Sequence, residues 1–207
     1  MNRRHLAAVA ATALLAVVFS ACASPHSAGS APDSPSLGAV SPGLPAGTVT
    51  AQGLVLDDGD SPMLCLGPVA ESAPPQCTGI PLTGWSWSGV DGSEVMSGTR
   101  WGSYAVQGTY DGESFTITQP PVMLALFDPM PLADPTEGKA GSGTDAELQK
   151  IQESLHDRLG AAYFASTPEN GWLWVDVLWD DGTWQDAADG EFGAGKVIIR
   201  PALHEVE

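Results

Sequence analysis

The hydrophobic period of this chain changes at Thr144, and that change constrains the fold more than any other feature of the sequence. Before Thr144, short apolar runs separated by turn residues predict strands. The pair Asp111-Gly112 lies between the runs 103–110 and 114–118, which is the pattern of a tight β-hairpin. After Thr144, apolar residues recur at helical spacing. The sequence therefore predicts an α+β fold made of two different halves.

Residues 48–127 are predicted to form a small antiparallel β-barrel or sandwich module. The run 48–56 has the character of a first strand, and short strands with Gly-rich turns follow it. A barrel of the oligonucleotide/oligosaccharide-binding (OB) type is one form that such a module can take. The apolar run 122–127 is expected to pack on the barrel. Residues 128–143, rich in Pro and Gly, are predicted to be a linker.

Residues 144–207 predict a compact α+β module of helix, hairpin, helix and strand. A capping box of Thr144 and Glu147 begins a helix that is expected to end at Gly160. We expect a strand at 172–179, a short helix at 183–192 and a last strand at 196–203. The first helix should bury a stripe of four apolar residues, namely Leu148, Ile151, Leu155 and Leu159.

The N-terminus has the features of an export signal. Arg3 and Arg4 precede the apolar run 6–19, which is too short to span a bilayer as a helix. The residues Phe19-Ser20-Ala21-Cys22 resemble the lipobox of bacterial lipoproteins, in which the cysteine is lipidated, although Phe19 stands where Leu is usual. Cleavage at Ala21-Cys22-Ala23 by an ordinary signal peptidase is the alternative. The arginine pair leaves general secretory and twin-arginine export both open.

This signal predicts an address and a tether. Residues 1–21 would be a lipoprotein signal peptide, and Cys22 would carry acyl chains that hold the protein on the extracytoplasmic face of the cell membrane. Residues 22–47 consist mainly of Ser, Pro, Ala and Gly. Because such a segment buries little apolar surface, it is predicted to be a disordered tether.

The three cysteines can be assigned once Cys22 is set aside as the anchor. Outside the cytoplasm, the remaining pair, Cys65 and Cys77, is expected to form a disulfide. Closing a loop of this length contributes about 3 kcal/mol in the chain-entropy model. A metal site would need further ligands at a spacing such as C-x2-C, and a redox pair would usually be C-x-x-C. We therefore predict a structural bridge and no metal.

The charge of the chain limits its partners. The formal net charge is −17, and it becomes still more negative when Arg3 and Arg4 leave with the signal. Such a balance excludes nucleic acid as a partner. Anionic lipid head groups would also repel the body, so contact with the membrane is predicted to depend on the N-terminal lipid.

Residues that could carry catalysis are few. His156 and His204 are the histidines of the predicted modules, and both are expected to be solvated surface residues. Acidic residues cluster at 57–60 and in the 180–191 region, without the spacing of a calcium loop. Turn hydrogen bonds and helix dipoles explain acidic residues at such places. We therefore predict no cofactor, no metal and no enzymatic activity. The acidic residues concerned are Asp57, Asp58, Asp60, Asp180, Asp181, Asp186 and Asp189.

Tryptophans offer a more specific hypothesis about binding. Two pairs occur at i,i+2, which places both rings of a pair on one face of a strand. Rings at this spacing suit stacking on sugars or peptides, but they also suit a core or the contact between two modules. Trp172, Trp174 or both are expected to be largely structural. Trp85 and Trp87, close to the stapled loop, are the candidates for contact with a partner protein or glycan, because a disulfide lowers the ordering cost of binding.

The segments LCLGPVAES, PPQC, GWSW and WGSYAVQGTYDG, together with the export signal, resemble a group of uncharacterised secreted lipoproteins of high-GC Gram-positive bacteria. That resemblance implies the address and a β module, but no activity. We expect a lipid-anchored envelope protein, without catalytic activity, that binds or assembles with an envelope component. The alternative is a hydrolase of cell-wall glycan or peptide that uses carboxylates of the 180–191 region.

Overall fold

The computed structural model describes residues 35–128 and 134–206. The predicted signal peptide and Cys22 lie outside the described residues. The fold is mixed α+β, with a closed five-strand barrel and two helices. The barrel strands are β1 (Val49–Asp57), β2 (Met63–Cys65), β5 (Ile80–Thr83), β7 (Thr99–Tyr110) and β8 (Phe115–Ile117). Shorter strands between or beside them are β3 (Val69–Ala70), β4 (Gln76–Cys77), β6 (Glu94–Met96) and β9 (Val122–Met123), the last followed by a 3-10 turn at Leu124–Leu126.

The barrel closes in the order β1-β2-β5-β8-β7 and back to β1. Neighbouring strands are antiparallel except β5 and β8, which are parallel. The expected hairpin is present as β7 and β8, and Asp111 accepts hydrogen bonds from the backbone N–H groups of Glu113 and Ser114 in the turn. Strand β9 pairs with β7 and Met123 packs on the barrel core, so the start of the apolar run 122–127 lies on the barrel, whereas Leu126 is exposed.

Two long strands, β1 and β7, form the seam that closes the barrel. They pair over residues 49–57 and 100–108. At Gly53, the midpoint of β1, a Cβ atom would lie 2.5 Å from the carbonyl oxygen of Cys65. At Gly108, where β7 takes up β8, a Cβ atom would collide with the Thr116 carbonyl. Glycine at both points allows the strands to approach and coil as closure requires.

The second half of the chain forms a three-stranded sheet covered by two helices. The elements are α1 (Asp145–Leu159), a 3-10 turn (Gly160–Ala162), β10 (Tyr163–Glu169), β11 (Trp172–Val177), α2 (Thr183–Phe192), β12 (Val197–Pro201) and β13 (Leu203–Glu205). Strand β11 lies between β10 and β12 and pairs in parallel with β12. The capping box of Thr144 and Glu147 and the C-cap at Gly160 are confirmed, and the four residues of the predicted stripe are buried.

The last strand differs from its prediction. Residues 196–203 were expected to be one strand, but β12 ends at Pro201, and β13 leaves the three-stranded sheet to pair with β1 of the barrel. Leu203 is fully buried in the barrel core. The C-terminal residues therefore join both sheets, because β13 provides the partner that the first residues of β1 would otherwise lack on that edge.

Residues 35–47, the N-terminal arm, also differ from their prediction. They were assigned to the disordered tether, but the structure packs them on the helices and the second sheet. Leu37 is 2% exposed and lies in the core beneath α1 and α2. The indole N–H groups of Trp184 and Trp179 donate to the carbonyls of Val40 and Gly43. Buried apolar contacts and paired backbone groups together offset the entropy of ordering the arm.

Glutamine side chains cover both outer strands of the three-stranded sheet. The Gln185 amide on α2 accepts from the Ile199 N–H at 2.8 Å and donates to the Val197 carbonyl at 3.0 Å, as a neighbouring strand would. On the opposite side, Gln152 of α1 donates to the Ser166 carbonyl at 2.8 Å. These contacts satisfy backbone groups that an open strand edge leaves unpaired.

No helix within residues 35–128 or 134–206 has both the length and the apolar character needed to cross a bilayer.

Replacing Gln185 by Met tests the importance of this edge contact. The substitution retains side-chain length but leaves the buried Ile199 N–H and the Val197 carbonyl without partners. We expect a loss of about 1–3 kcal/mol in the free energy of unfolding, measured by urea denaturation. Gln149→Met, on the exposed side of α1, is the matched control and should cost less than about 0.5 kcal/mol. Equal losses would show that the edge contact contributes nothing.

Acid should weaken the start of α1. Backbone and side-chain hydrogen bonds from Thr144, together with Lys196, lower the pKa of Glu147 from 4.5 to about 2. A carboxyl with a lowered folded-state pKa stabilises the fold above pH 4.5 and loses that effect as the pH falls towards 2. We therefore expect the thermal midpoint of the parent protein to fall more steeply over this range than that of Glu147→Gln. Parallel curves for the two proteins would contradict the assignment.

Candidate functional site

The predicted bridge between Cys65 and Cys77 is present, with Cα atoms 6.0 Å apart. Cys65 ends β2 and is buried, whereas Cys77 belongs to the short hairpin of β3 and β4. The disulfide thus links the segment that connects β2 and β5 to the end of barrel strand β2. Just after Cys65, Gly67 lies against the Phe164 side chain of β10, where a Cβ atom would be 3.2 Å from the ring.

Trp87 is held at one end of the barrel by two charged residues. Its indole N–H donates to Asp57 at 2.7 Å, and the Arg100 guanidinium lies 4.5 Å from its ring centroid. Asp57 and Arg100 are direct partners across β1 and β7. The register of β1 and β7 therefore determines the position of the Trp87 ring. This contact fastens residues 84–93, which we call the tryptophan loop, to the barrel.

Trp85 packs beside Trp87 but makes no comparable hydrogen bond. The two rings meet edge to face with centroids 4.9 Å apart, and Tyr104 lies 5.1 Å from the Trp85 ring. Burial raises the pKa of the Tyr104 phenol, which donates to the Asp91 carbonyl and gives the tryptophan loop a second attachment. Among the described residues, the Nε1–H of Trp85 is fully buried and has no acceptor.

A cleft of about 370 Å³ opens beside Trp85, between the tryptophan loop and the segment that follows β8. We call it the Trp85 cleft. Its polar groups are hydroxyls and a side-chain amide, and its apolar groups include two prolines. The described residues that line it carry no charged side chain: Gly84, Trp85, Ser86, Ser88, Gly89, Val90, Ile117, Thr118, Gln119, Pro120 and Pro121.

The two predicted binding residues, Trp85 and Trp87, are therefore brought together, but each ring is only partly exposed and packs against the barrel core. Trp85 lines an open cleft, whereas the N–H and one ring face of Trp87 are used within the chain. Contact with a partner stays a prediction for both residues. The i,i+2 spacing located the pair, but no local signal in the sequence indicates which ring lines a cleft.

The second tryptophan pair lies on the outer face of β11. Leu173, Val175 and Val177 are buried on the other face, as expected. Trp172 donates to the Lys139 carbonyl, and the Arg200 guanidinium lies 5.1 Å from the centroid of the Trp174 ring.

A cleft of about 480 Å³ adjoins Trp174, and His204 lies in its wall. His204 is half-buried on β13, opposite Thr50, rather than fully solvated as predicted, and its burial lowers the pKa of its imidazole. His156 is exposed, as predicted. The charged group nearest Trp174, Arg200, is already paired with Asp176 at 2.8 Å.

Three acidic residues of the 180–191 region make structural contacts. Asp180 accepts from the backbone N–H groups of Trp184 and Gln185 at the start of α2, and its burial raises its pKa. Asp181 accepts from the Gly43 N–H of the N-terminal arm, and Glu191 forms an ion pair with Arg158 at 2.8 Å.

The other acidic cluster forms local turns. Asp57 and Asp58 accept hydrogen bonds from backbone N–H groups two residues ahead, as the turn interpretation predicts. Within the described ranges, no three His, Cys, Asp or Glu side chains are grouped so that they could hold a metal ion.

Comparison with known proteins found no relative of this chain. No protein-family model, curated protein or solved structure matches the chain.

The two tryptophans should differ when each is replaced by phenylalanine. Trp87→Phe removes the donor to Asp57, and a hydrogen bond to an ionised acceptor contributes about 1.5–3 kcal/mol. Trp85→Phe removes an N–H that has no acceptor in residues 35–128 or 134–206. We expect Trp87→Phe to lower the free energy of unfolding by about 1–2 kcal/mol more than Trp85→Phe in urea melts. The reverse order would refute this division of roles.

Proposed function

We propose that this protein is exported, anchored to the cell membrane by lipid on Cys22, and binds an envelope component at the Trp85 cleft without catalysing a reaction. The observation that carries the binding proposal is the cleft itself. It joins an aromatic wall, neutral hydrogen-bonding groups and apolar surface, which is the usual composition of a small-molecule or polymer site. The address is supported by the signal-like N-terminus and its resemblance to secreted lipoproteins.

Binding is favoured over hydrolysis because of how the acidic residues are used. A glycoside hydrolase needs two carboxyl groups facing a common substrate. Asp180 supports the first turn of α2, Asp181 holds the arm, and Glu191 pairs with Arg158. Asp180, Asp181 and Glu191 are therefore engaged in structural contacts, and the described residues that line the Trp85 cleft carry no carboxylate.

We also propose that the barrel is of the OB type. Numbered in chain order, the barrel strands β1, β2, β5, β7 and β8 are the first to the fifth strand. Around the barrel they follow the order 1-2-3-5-4, and the third and fifth strands are parallel. This connectivity supports the five-strand Greek-key barrel of that class. The Trp85 cleft lies between the connection of the third and fourth strands and the segment after the fifth. Oligomer-binding OB barrels instead use the face of strands 2 and 3 with two other loops.

Cys22→Ala tests the anchor. The substitution removes the thiol that would carry the acyl chains, so the protein should leave the membrane fraction or accumulate with its signal uncleaved. Fractionation and intact-mass measurement give the readout, with Ser24→Ala as the matched control. Normal membrane retention together with an unmodified cysteine in the parent protein would overturn the proposed address.

Binding at the cleft can be tested in the native envelope. A photoreactive amino acid replaces Ser88, which lines the cleft, and the control carries it at Glu153 on the exposed side of α1. We expect adducts from position 88 and few from position 153. Equal yields at the two positions in folded protein would refute the Trp85 cleft as the binding site.

A further inference from the structure

We propose that the Trp85 cleft binds a neutral saccharide of an envelope glycan. This inference rests on the proposed binding function and specifies its ligand class. The cleft lies on a chain with a formal net charge of −17, yet its lining has no charged side chain among the described residues. A surface without cations offers an anionic ligand no charge partner, while the surrounding acidic protein repels it. A neutral ligand avoids that repulsion.

The hydrogen-bonding groups of the cleft match the hydroxyl groups of a sugar. Ser86, Ser88 and Thr118 provide hydroxyls that can both donate and accept, and the Gln119 amide does the same through two separate atoms. Apolar surface from Val90 and the two prolines lies beside these groups. A sugar ring presents the same combination of hydroxyls around its edge and C–H groups on its face. The volume of about 370 Å³ falls at the lower end of the range for ligand sites.

Trp85 provides the aromatic surface of the cleft. Its ring is partly exposed and lines the cleft, whereas Trp87 donates to Asp57 and lies against Arg100 within the chain. The C–H face of a sugar ring can pack on the apolar face of an indole. Trp85 is therefore the aromatic residue that a saccharide in the cleft would contact.

Binding of trisaccharides to the full-length protein tests the ligand class. Titration calorimetry would use chitotriose, laminaritriose and galactotriose, with trigalacturonic acid as the charged counterpart of galactotriose, in a detergent without a sugar head group. We expect at least one neutral trimer to bind and trigalacturonic acid to bind at least about tenfold more weakly than galactotriose. Tighter binding of the acid, or binding of no neutral trimer, would overturn the saccharide assignment.

Two substitutions connect binding to the cleft. Ser88→Ala removes a hydroxyl of the cleft, and Gln119→Ala removes the exposed amide. Each should weaken binding of the neutral trimer by roughly two- to twelvefold, the effect of one lost hydrogen bond, with circular dichroism confirming the fold. Gln149→Ala on α1 is the control and should bind like the parent. Unchanged affinity in both cleft variants would overturn the site.

The chemical nature of the crosslink at position 88 separates this inference from the proposed function. Adducts that glycan-degrading enzymes remove support the saccharide. Adducts only with proteins would overturn the saccharide but keep the binding function. Absence of adducts above the position 153 control would overturn both.

Discussion

The backbone N–H and C=O groups of strand β7 need hydrogen-bond partners along both edges, and the rest of the fold depends on which strands provide them. One edge pairs with β1 along its length, while the other is shared in turn by β6, β9 and β8. Closure into a barrel removes the open edge that a flat sheet would expose. The second sheet has no such closure, and glutamines from α1 and α2 pair with its outer strands instead. Strand β13 follows β12 of the second sheet and pairs with β1 of the barrel, so it connects the second sheet to the barrel.

The sequence predicts best those structural features that depend on residues close together in the chain. The capping box at Thr144, the stripe of α1 and the helix at 183–192 are local patterns, and each appears where expected. The β7–β8 hairpin also follows from a local turn. Partners distant in sequence hold the N-terminal arm and β13 in place. Arg158 and Glu191 bind the backbone of Leu37, and no period in the arm's own sequence reveals that contact.

The candidate site was predictable in its members but not in its geometry. Spacing alone paired Trp85 with Trp87, and their hydrogen bonds depend on which residues β1 and β7 place opposite one another. Asp57 looked like a turn residue, and it does form a turn while also accepting from Trp87. The lining after β8 was missed because nothing in the local sequence distinguishes Gln119 and the two prolines from ordinary connecting residues. These residues line the cleft because the barrel brings them beside the tryptophan loop.

The packed arm also changes what a lipid anchor at Cys22 could reach. Residues 35–47 pack on the body, so 12 residues separate Cys22 from Pro35, where the described structure begins. A fully extended chain spans at most about 3.3–3.6 Å per residue, so the connection could hold the body no more than roughly 45 Å from the membrane surface. A tether that ended at residue 47 would have allowed about twice that distance. Contacts of Leu37 with α1 and α2 would therefore restrict an anchored protein to envelope components close to the membrane, and the strongly negative charge of the chain would favour uncharged ones among them.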